Sequence, residues 1–279
     1  MSNRQVVSRA RHTSKRWLRP PNYGFAAADA VAPLVVLELP QAMLSLPIAF
    51  LPEDAGFSIV ALVSLQPGKN LFVSSDGRWL GGYVPAAYRA YPFLLLASAD
   101  GQELLCVDES SGLVVDAAVT QTGEPFFTVE TPASVGGDKP LAQVAPVLSE
   151  VLGMLSHVAK NRVTTKSLCA VLQKYELIQA WPITLAVGGQ EQRVEGLYRI
   201  DEERLGQLSA SDLLAVRDAG GLALAYCQLL SMQHVASLGL LANTHAEAEK
   251  KAAAASAVPV KGKDLDLSFL EGSETLKFF

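Results

Sequence analysis

The chain has 279 residues, 49% of them hydrophobic, and a formal net charge of −5, so it can bury a sizeable core without staples and lacks the overall basic charge of a nucleic-acid binder. Its three cysteines, Cys106, Cys169 and Cys227, stand far apart with no C-x-x-C spacing, which argues against a disulfide framework or a zinc module and suits buried thiols in a reducing compartment. No apolar run reaches the roughly 18 to 20 residues of a spanning helix, and no apolar h-region follows the N-terminal charges, so a cytoplasmic location is expected.

Residues 1–21 form a basic segment with Arg4, Arg9, Arg11, Lys15, Arg16 and Arg19 and no acid. Without helical apolar periodicity it reads as a flexible, solubilising arm, able to make weak contact with an anionic surface; Trp17 is its one anchor-like residue. From Pro33 to Val115 short β-prone runs follow one another: Leu34 to Leu37, Ile48 to Phe50, Ser58 to Leu65, Leu71 to Val73, Phe93 to Ala97 and Glu103 to Val107. Turn chemistry at Pro52 to Gly56, Pro67-Gly68, Ser75 to Gly77 and Asp100-Gly101 separates them, predicting a mostly antiparallel sheet.

The second half is mixed. Leu141, Val144, Val147, Leu148, Val151, Leu152 and Leu155 recur at helical spacing, so an amphipathic helix is predicted, with His157 as a cation near its C-terminus. Thr164 suits the N-cap of a second helix, and Ile183 to Val187 with Gln192 to Ile200 flank Gly188-Gly189 as a hairpin. Ser211 or Asp212 can cap a further helix ending at Gly220-Gly221, and Leu222 to Leu241 is apolar enough all round to be largely buried. The fold class is therefore α+β, a mostly antiparallel sheet in the N-terminal half with helices and a β-hairpin in the C-terminal half, over residues 22–245. The stretch after Asn243 reads as a helical extension running into a linker, assigned to residues 246–263, and 264–279, DLDLSFLEGSETLKFF, as an acidic and apolar tail. That tail either docks in a groove or on a sheet edge, or packs back on its own domain.

Catalytic patterns are missing. There is no G-x-S-x-G, no phosphate-binding glycine loop, and no metal-ligand spacing among His12, His157, His234 and His245. Ser231 and His234 lie in an apolar helical run and read as core residues. Asp201, with Glu202 and Glu203 after a predicted strand, suits the first turn of a helix. Glu38 sits in an apolar run, where an unpaired carboxylate is expensive, so Arg89 is the expected partner.

The densest feature is Asn70 to Phe93, NLFVSSDGRWLGGYVPAAYRAYPF, with Trp79, Tyr83, Tyr88, Tyr91 and Phe93 beside Pro85, Pro92 and Arg89. Most of these aromatics read as core, with Tyr88 and Arg89 the exposed pair; the competing reading is a recognition groove for an extended peptide.

Together with APLVVLELPQA, LPIAF, GEPFF, LQKYELI, GLYRIDEERLGQL and LAYCQLLSM, in that order, this segment resembles the SapC family of bacterial proteins, named for an association with surface-layer export. The resemblance spans roughly residues 22–242; it implies a link to surface-protein export and brings no catalytic residue set. The expected function is a non-enzymatic protein-binding factor, an adaptor or chaperone-like component for export or modification of bacterial surface proteins. Two alternatives stay beside it: an enzyme of unrecognised mechanism with a polar site near Glu38, Arg89 and Asp201, and a self-assembling structural protein using its tail. The expected partner is another protein or peptide, or a second copy, and not nucleic acid. No catalytic, cofactor-binding or metal residue is assigned. The candidate protein-binding residues are Trp79, Tyr83, Tyr88, Arg89 and Tyr91, with Phe269, Leu270, Phe278 and Phe279 in the tail.

Overall fold

The computed structural model describes residues 3–54, 56–98, 100–129, 142–187 and 190–256. With 42% helix and 24% strand, and several antiparallel sheets mostly in the N-terminal half, the protein is α+β, as the patterning predicts.

The main sheet has five antiparallel strands in the order Ile178–Ala180, Tyr198–Ile200, Ile48–Glu53, Gly56–Leu62 and Val31–Pro33. Ile48, Ala49 and Phe50, and across from them Ile59 to Leu62, are buried without alternation. Successive strand residues point to opposite faces, so both faces of this hairpin are covered. The helix Pro146–Lys174 packs on Gly56–Leu62 and on the helix Gly221–Ser231, which itself lies against Ile48–Glu53 and Tyr198–Ile200. Each fully buried Phe, Ile or Leu in this core contributes about 1.5–3 kcal/mol of transfer free energy.

One polar group organises the centre of that sheet. Tyr198–Ile200 and Ile48–Glu53 share a single register pair, Tyr198 with Phe50. Next to it the fully buried Gln228 takes over the ladder: its carboxamide accepts from the Ile200 N–H at 2.9 Å and donates to the Ile48 carbonyl at 3.1 Å. Ser231 Oγ completes the set, accepting from the Ile48 N–H at 3.0 Å and donating to the Gln228 carbonyl at 2.6 Å. Buried backbone groups left open by the diverging strands are thus satisfied from a helix. Ser231 is core, as its setting suggests, and the nearby His234 is half-buried with Nε2 3.0 Å from the Met43 carbonyl.

A second, smaller core is built on the N-terminal segment, and here the expectation of a flexible arm over residues 1–21 is corrected for the described residues 3–21. Arg4–Val6 pairs with Glu103–Asp108 in a three-stranded sheet completed by Phe93–Ala97, and Lys15–Trp17 lies between Val114–Asp116 and Glu124–Pro125. Trp17 meets Phe93 edge-on at 5.0 Å, Phe93 meets Phe126 at 6.0 Å, and His12 lies 4.8 Å from Phe126. Glu109 draws the arm's cations together: Arg11 donates to it twice, at 2.9 and 2.5 Å, and Lys15 at 2.9 Å. These contacts hold the Glu109 carboxyl down at about 2, the Arg11 hydrogen bonds contributing most, while burial pushes His12 below its ordinary value. Gly123 permits the close approach on the other side. Its φ is 93°, and a Cβ there would sit 2.7 Å from the Trp17 carbonyl oxygen.

Other elements differ from the local reading. Val31–Pro33 is the strand, and Val36–Glu38 is a 3-10 turn where a strand over Leu34 to Leu37 is expected. Thr164 caps nothing, because one helix runs from Pro146 to Lys174. Its neighbour Thr165 satisfies itself in mid-helix by donating to the Asn161 carbonyl, and also accepts from the Val36 N–H at 2.9 Å. His157 is therefore in the helix interior. Ser209, two residues before the expected cap, caps Ala210–Asp218 by accepting from the Asp212 N–H. The hairpin partner of Ile183–Val187 is Gln190–Val194, and Tyr198–Ile200 joins the main sheet.

The stretch from Leu222 to Leu241 breaks at a 3-10 turn, Met232–His234, and leaves Tyr226, Leu230 and Leu240 more than half exposed. It is a one-sided helix pair and not an enclosed span. The following helix, Val235–Ser256, continues through the first part of the expected linker, held by Lys69 to Glu249 at 2.7 Å and by His245 against the Leu71 carbonyl at 3.0 Å. Residues 257–279, with the tail, lie outside the described residues. No single described helix is long and apolar enough to cross a membrane; Ala210–Asp218 and Gly221–Lys251 pass only as a pair bent by 90°.

Candidate functional site

The aromatic segment is anchored from below by Glu38. This carboxylate is 6% exposed, and accepts from the Val35 N–H at 3.0 Å, the Ala86 N–H at 2.7 Å and the Tyr83 hydroxyl at 2.9 Å. Three hydrogen bonds offset the burial of the charge without a salt bridge. Arg89 reaches Glu38 only through Tyr83, donating to its hydroxyl at 3.2 Å with the guanidinium 5.6 Å from the Tyr83 ring centre. The expected Glu38–Arg89 pair is therefore replaced by a relay in which Tyr83 stands between them. Burial, and then the Glu38 charge, push the Tyr83 phenol up to about 12, so it remains a donor.

Above this anchor the rings sort into two groups. Trp79 donates to the Tyr83 carbonyl at 2.9 Å, stacks on Phe72 at 5.5 Å and meets Tyr88 edge-on at 5.7 Å. Tyr88 is 6% exposed and its phenol is raised by burial and by Asp29, so the expected exposed pair is corrected: Arg89 is exposed and Tyr88 is core. Tyr91 stacks face to face on Phe25, with centroids 4.0 Å apart and planes within 6°.

Tyr91 and Arg89 open onto a cleft of about 470 Å³. One wall is the aromatic segment, another is Trp17 to Tyr23 of the N-terminal segment, and the third is the first half of the long helix with Val147, Glu150, Val151 and Met154. Sequence patterning singles out Tyr88, Arg89 and Tyr91 here and misses Arg19 and the three apolar helix residues. Trp17 carried the only signal, a lone aromatic in a basic segment. Its indole is 3% exposed, and its N–H has no acceptor among the described residues. Phe269, Leu270, Phe278 and Phe279 lie outside the described residues, and Trp79 and Tyr83 support the cleft without lining it.

Other concavities are chemically closed or divided. A larger one, about 740 Å³, runs beside Val235–Ser256, but its charges are already matched, Lys69 with Glu249 and Asp76 with Ser74 and Arg78. Glu38 lines a small cavity of about 240 Å³ with mostly apolar walls. Asp201 lies at a different concavity with Gln179 and Arg199, and its side chain caps Glu202–Gly206 by accepting from the Arg204 N–H at 3.0 Å. Glu38, Arg89 and Asp201 thus share no cavity of those described. Among the described residues no three His, Cys, Asp or Glu side chains converge as a metal site requires.

Comparison with curated proteins and with solved structures gives no match. The SapC family model matches residues 7–238, a stretch that includes the Trp17 to Tyr23 wall, the aromatic segment and the long helix. The chain belongs to the SapC family.

Proposed function

We propose that this SapC-family protein is a non-enzymatic protein-binding factor, an adaptor for export or modification of bacterial surface proteins, and that the cleft between Tyr91, Arg19 and Met154 is its recognition site. The observation that carries this reading is the combination of an apolar, aromatic-walled concavity with exposed guanidinium groups at its rim. Such a surface gives an extended peptide contact area at low entropy cost and gives its polar groups partners. Glu38 and Asp201, the acids that an enzyme reading would use, are spent on backbone donors. A cytoplasmic location belongs to the proposal, supported by three unpaired cysteines.

The test is genetic and proteomic. Chromosomal Tyr91→Ala and Met154→Glu variants are compared with a deletion strain by quantifying surface proteins with mass spectrometry. The expected outcome is that the same surface proteins fall in the deletion and in both variants, at unchanged level of the factor itself. A surface proteome that is unaltered in the deletion strain overturns the reading.

A further inference from the structure

Two arginines and one carboxylate line the cleft, and this sets the chemistry of what enters it. Arg19 has no partner among the described residues, and Arg89 donates only to the neutral Tyr83 hydroxyl. Against these stands one carboxylate, Glu150. The chain as a whole carries a net charge of −5, so a rim with two guanidinium groups and one carboxylate is locally opposite in sign to the body around it. The walls between those charges are apolar: Tyr91, Val147, Val151 and Met154.

We infer that the occupant is an acidic and apolar peptide segment of a partner protein, with Leu- or Phe-type side chains on the Tyr91, Val151 and Met154 surface and carboxylates on Arg19 and Arg89. The inference rests on reading the cleft as a protein-recognition site. Its argument is charge complementarity: an arginine fork takes a carboxylate in a bidentate pair, and a basic segment there would place like charges together.

Fluorescence anisotropy with the full chain tests it, using three labelled eight-residue peptides that alternate Leu and Phe with Asp, with Asn or with Lys. The Asp peptide is expected to bind about tenfold more tightly than the Lys peptide at low salt, the gap narrowing in 0.5 M salt. Arg19→Glu, at an exposed position, is expected to reverse that order while leaving the thermal midpoint unchanged, and Arg89→Gln, which puts no second carboxylate beside Tyr83 and Glu38, is expected to narrow the gap; Arg217→Glu, remote from the cleft, is expected to leave it intact. Tighter binding of the Lys or Asn peptide overturns the acidic chemistry and leaves the recognition site standing. Failure of all three peptides, with the wild-type chain and with Asp264→Lys and Asp266→Lys introduced, overturns both. If the Asp peptide binds only after Asp264→Lys and Asp266→Lys are introduced into the full chain, the occupant is this chain's own tail and the partner assignment falls. A concentration-dependent dimer that dissociates on Arg19→Glu assigns the cleft to a second copy and equally overturns it.

Discussion

The two hydrophobic cores of this protein are held by different means. The larger one closes around the Ile48–Glu53 and Gly56–Leu62 hairpin with mostly aliphatic side chains, joined by Phe50, Phe72, Tyr88 and Trp181, and the polar groups at the centre of its sheet, Gln228 and Ser231, are neutral and saturated. The smaller one joins Trp17, Phe93 and Phe126 to Leu148 and Leu155, is half aromatic at its centre, and is bordered by titratable groups, His12 and Glu109. The long helix belongs to both: Leu148 and Leu155 serve the small core, Leu168 and Leu172 the large one. The difference teaches that the centre of stability and the candidate cleft lie largely in different parts of the molecule. The candidate cleft is walled mostly by the smaller, charge-bordered unit, with Tyr23 and Tyr88 of the larger core on one side, and local opening of the smaller unit requires less burial to be undone.

The largest effect that would sharpen this comparison is at the hairpin. Phe50→Ala removes a fully buried ring and is expected to cost about 3–5 kcal/mol in denaturant unfolding, with loss of structure across both cores. A loss below 1 kcal/mol would mean that the hairpin is not the centre of the cooperative unit. Trp17→Ala is expected to cost about 3 kcal/mol locally. Hydrogen exchange should accelerate in Arg4–Val6, Glu103–Asp108 and the first half of the long helix, while Ile48 to Leu62 keep their protection; uniform acceleration would erase the distinction between the cores.

Gln228→Leu keeps the volume but strands the Ile200 N–H and the Ile48 carbonyl, at an expected loss of about 2 kcal/mol. A neutral result would show that water replaces the carboxamide. The smallest effect is electrostatic. The Glu109 carboxyl lies near 2, below its ordinary 4.5, so its stabilisation is complete above about pH 4.5 and is lost as pH falls towards 2. Because Arg11 is 45% exposed, solvent screens the pair and the contribution is about 1 kcal/mol. Acid titrations of wild type and Glu109→Gln should therefore converge on approaching pH 2; a constant offset across that range would remove Glu109 as the arm's electrostatic clasp.

How far the sequence could be read varies with the distance over which each interaction acts. The strands Phe93–Ala97 and Glu103–Asp108 were legible because a short apolar run, an Asp-Gly turn and a second run are all local signals. Asp201 was legible as a cap for the same reason, its acceptor and donor being three residues apart. The interruption expected at Thr164 was misleading, since a threonine that bonds back to the preceding turn and one that caps a new helix look alike in one dimension. The order of the basic arm was invisible, because its partners Glu109 and Gly123 lie some hundred residues on, and a row of arginines looks solvated until that carboxylate is placed beside it.

What the sequence determined by itself is the α+β class and a dense aromatic segment between residues 70 and 93, carried by periodicity, turn chemistry and composition that act within a few residues, and the family, carried by the resemblance of a series of ordered segments. Only the tertiary structure decided which of those aromatics face inward, that Tyr83 intervenes between Glu38 and Arg89, and that Arg19, Arg89 and Met154 border one cleft. Those outcomes depend on how two cores share one helix, and burial and charge pairing between residues distant in the chain have no local signature from which they could be read.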